Sequence, residues 1–318
     1  MHAGIIRLSS AIVPCADHRT GLSTPGDPQL NNGLLYAITV LIWGSTWFAI
    51  EFQLGAVAPE VSVAYRYLGA AALLFIWCKY KGLSLTFHLK SHRWFALMGL
   101  FMFCLNYILA YRAQIHITSA LSAIAFSAML WMNILNARWF FGVRVGPRIY
   151  LGAALGVAGI VVLFGPRVGE LSLTDDVLFG SVLAVTGALM ASFGNMASQA
   201  AQRTRLPVMQ SNAWSMLYGG LLTTAIALAQ GHSFNFDLSA GYVISLVYLT
   251  IFGSVIAFGA YLTLLGRIGA HRAGYATVAF PVVALTLSMI FEDLALDGFI
   301  VTGFVLVLAG NLLVLRDR

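Results

Sequence analysis

Lysine and arginine fall on every second connection between long uncharged stretches of this 318-residue chain. Arg7 and Arg19, then Lys79, Lys81, Lys90 and Arg93, then Arg138, Arg144 and Arg148, then Arg203 and Arg205, then Arg267 and Arg272, then Arg316 and Arg318 make up fifteen of the eighteen. The connections between these clusters hold only Arg112 and Arg167, and Arg66 alone lies inside a stretch. Nine of the twelve acids take the other side: Glu51, Glu60, Glu170, Asp175, Asp176, Asp237, Glu292, Asp293 and Asp297. A water-soluble fold has no cause to sort charge in this way. A polytopic membrane protein does, because its cytoplasmic loops retain Lys and Arg.

Composition agrees, with 59% hydrophobic and 9% charged residues against about 25% charged in ordinary soluble domains. The net charge of +6 belongs to an inside belt that faces anionic lipid headgroups, and no basic run suggests a nucleic-acid partner. Cys15, Cys78 and Cys104 form neither a disulfide framework nor a metal-ligand spacing, so no metal or cofactor is expected. Residues 1–32, with Pro14, Pro25, Gly26 and Pro28, read as a flexible cytoplasmic tail without a signal peptide.

A bilayer core of about 30 Å takes roughly 20 apolar helical residues. Ten spans meet that need, near 34–50, 61–78, 94–111, 118–137, 149–165, 177–199, 207–229, 240–266, 273–291 and 298–315. Barrel strands would be about ten residues long and alternate apolar with polar, which these are not. The expected fold is therefore an all-α integral membrane protein of ten transmembrane helices. An even number of crossings with basic tails puts both termini in the cytoplasm.

The chain also repeats itself. At a shift of 154, Gly99 meets Gly253, Tyr107 meets Tyr261, and Ala125-Phe126 meets Ala279-Phe280. At 151, Gly152 meets Gly303; at 149, Ala64 and Leu68 meet Ala213 and Leu217; at 147, Ser45 meets Ser192. Each shift pairs a span in 33–165 with the corresponding span in 177–315. Because five crossings reverse direction, the halves are inverted in the membrane around a central cavity. Secondary transporters are built this way and bind substrate near the midplane between the halves.

Several segments carry a resemblance. Trp43-Gly44-Ser45-Thr46-Trp47-Phe48, Pro59-Glu60 followed by Ala64-Tyr65-Arg66-Tyr67, Thr118-Ser119-Ala120, Phe280-Pro281-Val282, and Glu292 with Gly303 and Gly310 resemble the helix signatures of the drug/metabolite transporter superfamily. The likeness covers about residues 33–315 and is to the ten-helix EamA branch, above all to YddG-type exporters. It implies export of aromatic and other neutral amino acids across a bacterial inner membrane. One position departs: Arg138 stands where many relatives carry a glutamate matching Glu292, so no symmetrical role for that acid carries over.

Buried charge and polarity single out the candidate residues. Arg66 sits roughly 10 Å past Pro59 and calls for an ion pair with Glu51 or Glu60, the alternative being contact with substrate. Trp43 lies too deep for an interfacial anchor and either packs the core or lines the cavity, whereas Trp47 suits an anchor. Asn106, Tyr107 and its repeat mate Tyr261 are candidates for interhelical bonding or substrate contact; Tyr275, Asn133 and Asn195 rank below them. Ser127 and Pro281 match at shift 154, and the proline, lacking an N–H, marks a hinge or cavity wall flanked by Phe126 and Phe280. Gly152, Gly156 and Gly159 form a small-residue face for helix packing. The chain is expected to act as a monomer, with a dimer through this face as the alternative.

Elimination narrows the cargo. No Asp or Glu lies at mid-depth, which disfavours organic cations, and only Arg66 and Arg112 could meet an anion, which disfavours phosphates and nucleotide sugars. A neutral or zwitterionic, partly apolar molecule fits an aromatic cavity with a few polar groups. Facilitated diffusion or exchange by alternating access suits a membrane without an embedded acid. No catalytic residue is expected: the chain has no zinc-protease, phosphate-loop or nucleophile-elbow motif, and every lysine lies between Lys79 and Lys90. The rivals are a multidrug or other metabolite exporter of the same fold, a channel, and a membrane-embedded enzyme, for which only the scattered His88, His92 and His271 speak.

Overall fold

A computed structural model describes residues 30–117, 119–144, 146–170, 175–291 and 298–315. The tail expected over residues 1–32 and the acids Glu292, Asp293 and Asp297 fall largely or wholly outside the described residues. The described residues are all-helical, in twelve helices: α1 Asn32–Glu51, α2 Pro59–Tyr80, α3 Leu89–His116, α4 Ser119–Phe126, α5 Met129–Phe141, α6 Pro147–Glu170, α7 Asp175–Arg203, α8 Val208–Ala229, α9 Ala240–Ile268, α10 Ala270–Ala273, α11 Ala276–Phe291 and α12 Gly298–Leu315.

Five of these, α1, α2, α3, α9 and the Leu178–Arg203 stretch of α7, have the length and apolarity to cross a membrane by themselves. The expectation of ten uniform spans is therefore met only in part among the described residues. The fourth span is broken at Ser127–Ala128 into α4 and α5, α11 has 16 residues, and α8 opens with Gln210, Ser211, Asn212 and Ser215.

Local chemistry sets the ends. Pro59 takes the first turn of α2, where its missing N–H costs nothing. Gly142 closes α5 in the left-handed region (φ 65°), letting the Val143 N–H donate back to the Ala137 carbonyl at 3.3 Å. Both α3 and α9 carry a π-helical stretch near mid-length, Gly99–Leu105 and Leu249–Ile256. A π turn shifts the carbonyl register and releases acceptors for other partners.

Glycines allow the closest approaches. Gly99 of α3 lies on the backbone of Gly219 in α8, where an added Cβ would come within 2.9 Å of the Gly219 nitrogen. Gly310 of α12 lies on Gly152 and Gly156 of α6. Gly152 and Gly156 of the small-residue face of α6 are thus in contact with α12 of the same chain. In a bilayer such close packing, rather than water exclusion, holds helices together.

The packing partners form a pattern. α1 packs on α9 and α11, and α7 packs on α3 and on α4 with α5; α2 packs on α8, and α6 on α12. Exchanging α1 with α7, α2 with α8, α3 with α9, the α4–α5 pair with α11 and α6 with α12 returns the same set. Large apolar side chains including Leu41, Ile76, Trp139, Leu178, Leu228 and Ile244 remain exposed around the outside, as a lipid-facing surface requires.

Candidate functional site

A cavity of about 50 Å³ lies between the two sets of helices. Helix α1 contributes Trp43, Thr46, Trp47 and Ile50, spaced i, i+3, i+4, i+7, which is one helical face. Helix α3 supplies Met102 from within its π stretch and Asn106, Tyr107 and Ala110 beyond it. Phe126 and Met129 flank the α4–α5 break, and Ala191 with Asn195 of α7, Phe258 with Tyr261 of α9, and Phe280 of α11 complete the wall. Seven of these fifteen side chains are aromatic and none is charged. The site can therefore hold an apolar body by ring contact and orient it through a few neutral polar atoms.

The aromatic wall is internally braced. The Trp43 indole N–H donates to the Gly253 carbonyl at 3.2 Å, an acceptor in the π stretch of α9. Its ring lies 4.9 Å from Phe258 and 4.8 Å from Tyr261 between centroids. Trp47 packs on Phe126 at 5.5 Å and on Phe280 at 5.8 Å. The interfacial anchor expected of Trp47 is thereby corrected, because the turn that aims Trp43 inward aims Trp47 inward as well. Gly44 lets α1 touch α11 here: an added Cβ would lie 2.4 Å from Val283 Cβ and 2.9 Å from the Phe280 carbonyl oxygen.

The polar groups sit at two levels. Asn195 donates to the Tyr261 hydroxyl at 3.0 Å and to Asn133 Oδ1 at 3.2 Å, linking α7, α9 and α5. Asn106 donates to the Met102 carbonyl at 3.3 Å, and its buried Oδ1 accepts no hydrogen bond among the described residues. Behind Tyr107 lies Arg66, fully buried. Its Nε donates to Ser254 Oγ at 2.8 Å and its Nη1 to the Tyr111 hydroxyl at 3.5 Å. The guanidinium carbon stands 4.6 Å from the Tyr107 ring centroid and 5.3 Å from that of Tyr67.

The ion pair expected of Arg66 with Glu51 or Glu60 is not among the described ion pairs. Glu51 is exposed at the end of α1. Glu60 is buried and pairs with Arg112, with His232 3.5 Å from its second oxygen. The reason is reach along the helix: Arg66 lies about 9 Å along α2 from Glu60, while Arg112 at the end of α3 meets it directly.

Of the other expected site residues, Trp43, Asn106, Tyr107, Phe126, Tyr261 and Phe280 come together in the cavity wall. Ser127 is buried in the α4–α5 break and Tyr275 donates to the Ile149 carbonyl at 2.7 Å; neither lines the cavity. Pro281 is inside α11 directly behind Phe280. Thr46, Ile50, Met102, Ala110, Met129, Ala191 and Phe258 were not singled out from sequence. Helical spacing from Trp43 and Asn106 would have found Thr46, Ile50, Met102 and Ala110. No group of His, Cys, Asp and Glu suited to a metal ion occurs among the described residues.

Comparison with known proteins is consistent with this geometry. A solved crystal structure superposes with a TM-score of 0.73 over 89% of this chain and 95% of that one, at 21% identity, a likeness in fold. An inner membrane transporter of Escherichia coli (strain K12) named YedA is 30% identical over 88% of this chain and 91% of its own length. A Bacillus subtilis transporter, YoaV, is 25% identical over 85% of this chain and 91% of its own length. A probable amino-acid metabolite efflux pump of Escherichia coli (strain K12) is 24% identical over 88% of this chain and 93% of its own. Residues 31–165 and 178–316 each match one family description. A multi-pass protein of the bacterial inner membrane, the chain belongs to the EamA-like transporter family.

Proposed function

We propose that this membrane transporter exports amino acids, aromatic and other neutral ones, or closely similar small metabolites from the cytoplasm. The observation that carries the reading is the charge-free aromatic cavity between two matching sets of helices. Ten crossings follow if α4 and α5 form one broken span and α10 caps the turn into α11, and the basic clusters then place both termini in the cytoplasm. In that arrangement 33–165 and 177–315 are inverted five-helix repeats, and the exchange of packing partners is the pattern such repeats produce.

Alternating access then amounts to rocking one set of helices against the other about the cavity. Pro281, which deprives α11 of one backbone hydrogen bond beside the cavity wall, is the hinge in this reading. Among the described residues no acid lines the cavity to relay a proton, which favours facilitated diffusion or exchange. The similarity to a probable amino-acid metabolite efflux pump points the same way on cargo. Purified protein in liposomes loaded with labelled phenylalanine, methionine or threonine is expected to release label faster than protein-free liposomes, with saturation and counterflow. If none of the three is accelerated, the amino-acid reading fails.

A further inference from the structure

Arg66 is a full positive charge buried inside the protein, and among the described residues no acid pairs with it. Among the described residues the ion pairs are Arg112 with Glu60, His116 with Asp176 and His232 with Glu60, and none includes Arg66. A guanidinium cannot escape this by losing its proton, and a buried unpaired charge is costly unless something supplies the counter-charge. Ser254, Tyr111 and two tyrosine faces relieve part of that cost. One terminal nitrogen, Nη2, is buried and donates to no described group.

That nitrogen stands next to the cavity wall. The place where a Cβ would project from Gly253 is 3.1 Å from Arg66 Nη2 and 3.0 Å from the methyl of Thr46, a wall residue. Tyr107, whose ring carries the guanidinium, is also a wall residue. Only the absence of a side chain at Gly253 keeps the two apart from a methyl group's bulk. On the same helix as Tyr107, the unsatisfied Oδ1 of Asn106 offers an acceptor.

We propose, building on the transporter reading above, that Arg66 is the specificity-determining counter-charge for a carboxylate on the transported molecule. The cargo is then a monocarboxylate or an amino-acid zwitterion with an apolar body, its ammonium group served by Asn106 and its body by the aromatic wall. A single cation with one free donor edge suits one carboxylate rather than a phosphate. Arg66 does not itself line the cavity; its charge acts on the carboxylate from one side chain behind the Tyr107–Thr46 wall.

The test separates the carboxylate from the amine. Thermal unfolding of the purified protein is measured with 3-phenylpropionate, phenethylamine, phenylalanine and phenylalaninamide, beside phenylalanine efflux from liposomes. The wild type is expected to be stabilised by the two carboxylates and not by the two amines. Arg66→Lys keeps that order, and Arg66→Gln abolishes it and raises the KM for phenylalanine about tenfold, as loss of a nearby counter-charge in a low-dielectric site does. Gly253→Ala, which leaves the charge in place but puts a methyl beside Nη2, weakens the carboxylate effect and decides the matter if Arg66→Gln does not fold. Equal stabilisation by acid and amine in the wild type, no stabilisation by any compound, or a folded Arg66→Gln that still prefers carboxylates overturns the proposal. Carboxylate-specific stabilisation without phenylalanine efflux would leave Arg66 in its role and remove the amino-acid cargo; efflux without a carboxylate preference would do the reverse.

Discussion

Gly44→Ala tests the seam between α1 and α11 at a scale the structure makes explicit. The new Cβ would lie 2.4 Å from Val283 Cβ, 2.8 Å from Val283 Cγ1 and 2.9 Å from the Phe280 carbonyl oxygen. Ordinary contact begins at 3.4 Å, so the helices must part by about 1.0 Å (3.4 minus 2.4) along that direction. Val283 Cβ is fixed to its backbone and cannot rotate aside, and the Phe280 oxygen is backbone itself. Overpacking of this kind costs about 1–3 kcal/mol, set against a gain of up to about 1 kcal/mol from alanine's higher helix propensity. The displacement falls between Trp43 and Trp47 on one side and Phe280 on the other, so transport should slow along with the loss of stability. Gly259→Ala in α9, where nothing lies within 4 Å, is the control that receives the propensity gain alone. Val283→Ala leaves the 2.4 Å clash in place and should not rescue Gly44→Ala, whereas Val283→Gly removes it and should rescue in part. The assay is thermal unfolding followed by tryptophan fluorescence, with efflux measured on the same samples. Equal midpoints and equal flux for Gly44→Ala and Gly259→Ala would refute the reasoning.

Other expectations follow from single contacts. Tyr107→Ala removes a cavity wall and should cut phenylalanine efflux severalfold while the protein still elutes as a folded monodisperse peak; unchanged kinetics would assign Tyr107 to packing. Trp43→Phe keeps the ring but loses the donor to the Gly253 carbonyl, and should cost about 1 kcal/mol in unfolding experiments. For orientation, cysteine introduced at Lys90 should react with a membrane-impermeant maleimide only in inverted vesicles and cysteine at Asn235 only in intact cells; the reverse pattern would invert the proposed topology. Burial, and then the neighbouring Arg272, hold the His271 imidazole down at about 4 from its ordinary 6.5. The unfolded chain binds that proton more readily, so stability should be full above pH 6.5 and fall as pH drops toward about 4. His271→Asn should flatten this part of the pH profile, and a parallel slope in both proteins would locate the acid sensitivity elsewhere.

The membrane class, the helical content and the twofold division of this chain were legible without coordinates. They rest on sums over many residues: apolar runs of bilayer length, charges sorted by side, and small and aromatic residues recurring at shifts near 150. Such sums survive errors at single positions. Six of the eight residues expected at the substrate site line the cavity; for Trp43, Asn106, Tyr107 and Tyr261 the reason is that a mid-span polar atom has few other places to go in a bilayer.

What the chain's order does not state is which faces of different helices meet. Trp47 was set apart from Trp43 by depth alone, yet the approach of α1 to α11 across Gly44 turns both indoles inward. Tyr275 qualifies by polarity and Ser127 by its match to Pro281, but α6 takes the Tyr275 hydroxyl and the α4–α5 break encloses Ser127. Arg66 needed a partner by any sequence argument. Only the packing of α2 on the π stretch of α9 supplied Ser254 in place of an acid, because a π turn alters which side chains a helix presents by more than its 3.6-residue period allows. Apolar length and charge placement are local and additive, so the sequence by itself determined a helical membrane protein made of two halves. Contact between helices depends on register, close glycines and broken turns, which are properties of pairs, so the cavity and the setting of the charge behind its wall were decided by the tertiary structure alone.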